Sequence, residues 1–156
     1  MDLRTPKQIA DFKVSIVKRC IRESVADPVF KALVRKDFGT VPRQGAVNHL
    51  WLYMQRFEFV PEQRGDYCKH AIEFYHDGFG DCEDFVVFEV SVLIILGYKP
   101  VIKVYDTEGL GYYKHVVLEV FNPAMGRQVV FDGTYRVQGL GGEPPALSNV
   151  VRRYRV

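Results

Sequence analysis

Through the first half of the chain, apolar residues recur at helical spacing; through the second they gather in short β-branched and aromatic runs. After Thr5, residues Ile9, Phe12, Ile16, Val17 and Cys20 fall three or four apart, predicting one face of an amphipathic helix. Thr5 is placed to cap that helix and Pro6 to occupy its first turn, where a missing N–H costs nothing. Asp27-Pro28 restarts the chain, and Val29, Leu33 and Val34 predict a second short helix ending near Gly39. Residues 44–57 repeat the pattern with Val47, Leu50, Trp51 and Met54. The stretch 59–65 has turn character through Pro61 and Gly65, and 67–75 predicts a further short helix.

At the centre, Asp77-Gly78-Phe79-Gly80 is a glycine-rich turn leading into Asp81-Cys82-Glu83-Asp84. Phe85, Val86, Val87, Phe88, Val90, Val92, Leu93, Ile94, Ile95 and Leu96 follow, closed by Gly97. Periodicity does not separate a buried helix from a strand here, but length does. About 15 residues between an acidic start and a terminal glycine predict a central buried helix. Beyond it, 101–105, 115–121 and 128–131 predict strands separated by Gly, Asp, Asn and Pro turns. The expected layout is α+β, an antiparallel sheet packed on the central helix. Residues 140–145 (LGGEPP) read as a loop, and the terminal RRYRV as either a last strand or a tail.

A length of 156 residues predicts one domain over 1–156: a helical N-terminal extension (1–43), a core (44–135), and a C-terminal loop and tail (136–156). Hydrophobic residues at 47% and charged residues at 26% argue against a disordered chain. Twenty-one basic against nineteen acidic residues make nucleic acid an unexpected partner. The longest apolar stretch, 90–97, is far short of the roughly 20 residues a membrane helix needs, so no membrane association is expected. The polar N-terminus MDLRTPKQIADFK lacks a secretory core, which predicts a cytoplasmic protein as synthesised. Three cysteines, at 20, 68 and 82, permit at most one internal bridge and suit a reducing compartment. Cys20 and Cys68 read as packing residues. His49, His70 and His76 fall in no zinc-binding pattern.

Cys82 differs by its position. It falls in the first turn of the buried helix, where exposed N–H groups and the macrodipole favour a thiolate. His115 opens one predicted strand and Asp132 closes the next, so an antiparallel pairing brings them side by side. Taken singly, His115 reads as a core histidine and Asp132 as a turn former before Gly133. Taken together with Cys82 they have the parts of a thiol nucleophile, a base, and a carboxylate that orients the base. The Cys82 backbone N–H, with a second donor from Trp51, Gln55 or Gln63, would hold an oxyanion. Asp81, Glu83 and Asp84 oppose a thiolate by their charge. Their spacing favours a capping box, Asp81 to Asp84, over metal binding.

The motifs GDCEDF (80–85), LGY (96–98), KHVVLEV (114–120) and VVFDGTY (129–135) resemble the transglutaminase-like superfamily. Cysteine and histidine stand 33 residues apart and histidine and aspartate 17, as in its compact members. Trp51 and Asp66-Tyr67 extend the likeness, which covers roughly 47–135. The resemblance is nearest to bacterial transglutaminase-like cysteine proteinases and to small phage proteins of this class. It implies a papain-like core with Cys82 as nucleophile, His115 as general base and acid, and Asp132 as the orienting carboxylate. Chemistry on peptide or amide bonds of a protein or peptide substrate, through a thioester and without a required cofactor, is the implied activity. Some of the proteinases use calcium, for which Asp81, Glu83 and Asp84 match one group of acids. The upstream group is shortened here to Pro61-Glu62-Gln63-Arg64. The alternative implied by the phage proteins is a virion structural or assembly component. It would be virion-associated, with virion proteins or a second copy as partners, and its triad would be vestigial or used only in assembly.

Overall fold

The computed structural model describes residues 5–61, 67–105, 115–134, 139–141 and 150–156. Helix α1 (Pro6–Ala26) starts on a capping box: Thr5 Oγ1 accepts the Gln8 N–H at 3.2 Å, and Gln8 Oε1 accepts the Thr5 N–H at 2.8 Å. Asp27 ends α1 and caps α2 (Pro28–Phe38), its Oδ1 accepting the Val29 N–H at 2.9 Å. The predicted restart is therefore a single residue shared by two helices.

The buried faces of these helices overlap those expected, with Val17, Cys20 and Val34 buried, but are shifted from them. In α1 the core stripe is Ala10, Val14, Val17, Cys20, Ile21 and Ser24, while Phe12 is 43% exposed. The stripe is rotated by roughly 100°, about one residue, from the predicted face. In α2, Phe30, Val34 and Phe38 are buried and Val29 is 61% exposed. In α2 the aromatic residues Phe30 and Phe38 take the interior because they remove the most apolar surface from water. Phe30 meets Phe88 edge to face at 5.5 Å.

A 3₁₀ turn (Arg43–Gly45) leads into α3 (Ala46–Met54), which buries Val47, Leu50 and Met54 as predicted. Strand β1 (Glu58–Phe59), helix α4 (Ala71–Asp77) and strand β2 (Phe79–Gly80) follow. The glycine-rich turn is thus partly a strand: β1 and β2 pair in parallel, flanked by Glu58 N–H to Gly78 O (3.0 Å) and Val60 N–H to Gly80 O (2.8 Å). Gly78, at φ +77°, ends α4 in the left-handed region that favours glycine.

Helix α5 (Cys82–Ile95) is the centre of the molecule, and every residue from Glu83 to Leu93 is buried. It packs against α1 and α4 on one side and the sheet on the other. Strands β3 (Val101–Tyr105), β4 (His115–Asn122), β5 (Arg127–Phe131) and β6 (Val150–Arg155) make an antiparallel sheet in the order β5-β4-β3-β6. The C-terminal residues are a strand and not a tail. β6 pairs with β3, and its Tyr154 hydroxyl donates to Asp11 on α1 at 2.7 Å. Most of the 140–145 loop lies outside the described residues. The architecture is α+β with the sheet C-terminal to the helices, a papain-like core. Among the described residues no helix is long and apolar enough to cross a membrane.

Candidate active site

Cys82 is the first residue of α5, and the capping box expected from sequence holds it there. Asp81 Oδ1 accepts the Glu83 N–H at 3.0 Å and the Asp84 N–H at 3.1 Å; Asp84 Oδ2 accepts the Asp81 N–H at 3.0 Å. The other oxygen of Asp84 accepts the Lys69 N–H at 2.8 Å, tying the segment before α4 to the start of α5. A Cβ at Gly80 would lie 2.7 Å from Asp84 Cβ and Oδ2, so only glycine fits beneath this cap. Lys69 closes the arrangement by donating to the Phe79 carbonyl at 2.9 Å and pairing with Asp77 at 2.9 Å.

The Cys82 residue is half-buried. Burial is the strongest influence on its thiol and pushes the pKa up; Asp81, Glu83 and Asp132 push in the same direction. The Val116 N–H, directed at the sulfur from β4, opposes them. The thiol is therefore protonated at neutral pH, and the charge conflict expected from the neighbouring acids is real.

Val116 follows His115, the first residue of β4. His115 Nε2 lies 2.7 Å from Asp132 Oδ2, with the histidine side chain 17% exposed and the aspartate 2%. Asp132 Oδ1 accepts the Thr134 N–H at 3.0 Å and the Thr134 hydroxyl at 2.6 Å, an Asx turn that fixes the carboxylate. The Nε2–Asp132 bond leaves Nδ1 as the second nitrogen of the ring. The antiparallel pairing of β4 with β5 brings histidine and aspartate together in the way their strand positions predict.

Two residues that support this corner escaped the sequence reading. Glu89 is 1% exposed, two turns beyond Cys82 on α5. Its Oε1 occupies the space a Cβ on Gly133 would need, and Phe85 Cδ1 would lie 3.0 Å from that Cβ. The Asp132–Thr134 turn therefore rests on the same helix that carries Cys82. A lone carboxylate inside an apolar run was the available signal. Lys69 had no signal, since its role depends on a carbonyl and on a carboxylate across a turn.

Of the oxyanion candidates, Trp51 packs its ring against Phe131 at 5.5 Å, one residue from Asp132. Gln55 is exposed and its amide donates to the Trp51 carbonyl at 3.0 Å, on its own helix. Gln63 lies outside the described residues, as does Asp66. Of the acids considered for calcium, Asp81 and Asp84 accept backbone N–H groups, and no group of three or more His, Cys, Asp or Glu among the described residues is placed to hold a metal.

No protein-family model matches the chain. No curated protein matches it either. Solved structures do. LapG of Legionella pneumophila superposes with a TM-score of 0.56 at 17% identity, over 90% of this chain and 81% of that one. A "putative cysteine protease" of Cytophaga hutchinsonii gives 0.54 at 15% identity, over 79% of this chain and 40% of that one. A "putative protease" of Parabacteroides distasonis gives 0.57 at 12% identity, over 77% of this chain and 26% of that one. The chain spans less than half the length of the last two. At these identities the shared property is the fold. A buried helix led by cysteine and a histidine–aspartate pair at the adjoining sheet corner define a papain-like core. The chain shares its fold with these proteins.

Proposed function

We propose that the protein is a transglutaminase-like thiol enzyme acting on peptide or amide bonds of a protein or peptide substrate. The observation that carries this reading is the 2.7 Å His115–Asp132 pair beside the β4 residue whose N–H meets the Cys82 sulfur. Asp132 holds the ring through Nε2, which leaves Nδ1 to take the thiol proton as the sulfur attacks the substrate carbonyl. The Cys82 N–H at the helix start is the first donor for the developing oxyanion. His115 then returns the proton to the leaving amine, giving a thioester that water resolves in hydrolysis and an amine in transamidation. Because burial keeps the thiol protonated, proton removal accompanies attack rather than preceding it as a standing ion pair.

Iodoacetamide labelling with mass-spectrometric site assignment tests the reading. Cys82 is expected to label through His115, so His115→Ala slows labelling at that residue at least tenfold, and Cys82→Ala removes it. Equal rates in His115→Ala and the unmodified protein would overturn the catalytic reading. They would favour the second one, a scaffold with a vestigial triad in a virion or assembly role. The protonated, half-buried thiol is the observation on that side.

A further inference from the structure

The two cysteines that the active site does not use lie against each other. Cys20 on α1 and Cys68 ahead of α4 are both buried, and Cys20 Sγ is 3.5 Å from the Cys68 carbonyl oxygen. The neighbouring thiol is the strongest influence on each, lowering the Cys20 pKa to about 7, with His70 and Arg19 adding to the effect, and raising that of Cys68 together with burial. Of the two, Cys20 is the one that gives up its proton first.

The backbones that carry them are already held in register. Ser24 Oγ accepts the Ala71 N–H at 3.0 Å, and His70 pairs with Glu23. The contacts 20 with 68, 23 with 70, and 24 with 71 run along one side of α1. A disulfide needs sulfurs about 2 Å apart and Cα atoms within roughly 7 Å, and the Cys20 sulfur already lies against the backbone of Cys68.

We propose that Cys20 and Cys68 are a redox pair that closes to a disulfide and staples α1 to the segment supporting the start of α5. The oxidant is a small-molecule disulfide of the glutathione class. The Cys20 thiolate attacks one of its sulfurs and expels a thiolate, forming a mixed disulfide. Cys68 gives its proton to the expelled thiolate, attacks the Cys20 sulfur and releases the second small thiol. Two protein thiols are oxidised to one bridge as one small disulfide is reduced to two thiols. The staple reaches Cys82 indirectly, because Lys69, next to Cys68, donates its N–H to Asp84. The bond closes a loop of 48 residues, a length at which constraint of the unfolded chain stabilises the fold appreciably.

The test uses the full chain in oxidised glutathione, quenched in acid, alkylated in denaturant and mapped by peptide mass. The expected product has lost two hydrogens, joins the Cys20 and Cys68 peptides, and leaves Cys82 as the only other cysteine. Repeating this in Cys82→Ser must give the same bridge. Alkylation of both Cys20 and Cys68, separate glutathione adducts on them, or a bridge to Cys82 would each overturn the proposal. The bridged form should also unfold at a higher urea midpoint than the reduced form, with the gain lost on adding dithiothreitol. Coincident midpoints would refute the staple. None of these outcomes depends on Cys82 being catalytic.

Discussion

At the start of α5 the Asp84 carboxylate accepts two backbone N–H groups, yet burial and the Asp81 carboxylate raise its pKa to about 6. An unfolded aspartate titrates near 3.9, so the folded chain holds this proton more tightly. The contribution of Asp84 to stability is greatest below about pH 4 and falls away as the pH rises through about 6. Relative to Asp84→Asn, the protein is expected to lose on the order of 2 kcal/mol between about pH 4 and pH 7, read from urea denaturation at the two values. A flat difference between them would contradict the assigned shift. Gly133 makes a second residue-scale prediction. Gly133→Ala drives a methyl into Glu89 and is expected to destabilise by about 1–3 kcal/mol. It should also remove most of the His115-dependent labelling of Cys82 by displacing Asp132. Adding Glu89→Ala makes room for the methyl, so the two changes together should cost less than their sum.

Helix boundaries were legible because caps and lengths are local. Thr5, Asp27 and Asp81 each mark a start, and the run after Asp84 is too long for an ordinary strand. Which face a helix buries was less legible. The patterns of α1 and α2 each admit two neighbouring stripes, and only the position of α5 chooses between them. The difference is measurable: Phe30→Ala should cost about 3–5 kcal/mol. Phe12→Ser should cost clearly less, about 1 kcal/mol, because the residue is already 43% exposed. Comparable losses for the two would place the core face of α1 where the sequence pattern put it. Strands β1 and β2 were illegible for another reason. Two-residue strands carry no period, and their pairing exists only because α3 and α4 deliver them to each other.

Across the whole molecule, the order Cys82, His115, Asp132 was readable because antiparallel neighbours bring the end of one strand to the start of another. The supports of that corner were not. The Val116 N–H is a backbone donor, and Glu89 meets Gly133 only after the sheet has closed on α5. The sheet is tied to the first helix as well, since Asp11 accepts the Tyr154 hydroxyl and pairs with Arg152 at 3.4 Å. Asp11→Ala is expected to lower stability by about 1 kcal/mol in thermal unfolding, the net worth of a partly exposed bond of this kind. An unchanged midpoint would show that β6 is held by its pairing with β3 alone.

The burial of α5 from Glu83 to Leu93 has a cost before the chain folds. Residues 85–96 are rich in β-branched and aromatic side chains, the composition that stacks into intermolecular sheets when exposed. Glu89 is the single charge in that stretch and divides it into FVVF and VSVLIIL. A charge so placed acts as a gatekeeper against aggregation. Glu89→Val should therefore turn turbid on dilution from urea at concentrations where the natural sequence stays clear. The carboxylate that seats the Asp132 turn in the folded protein would then be the same group that keeps unfolded chains apart.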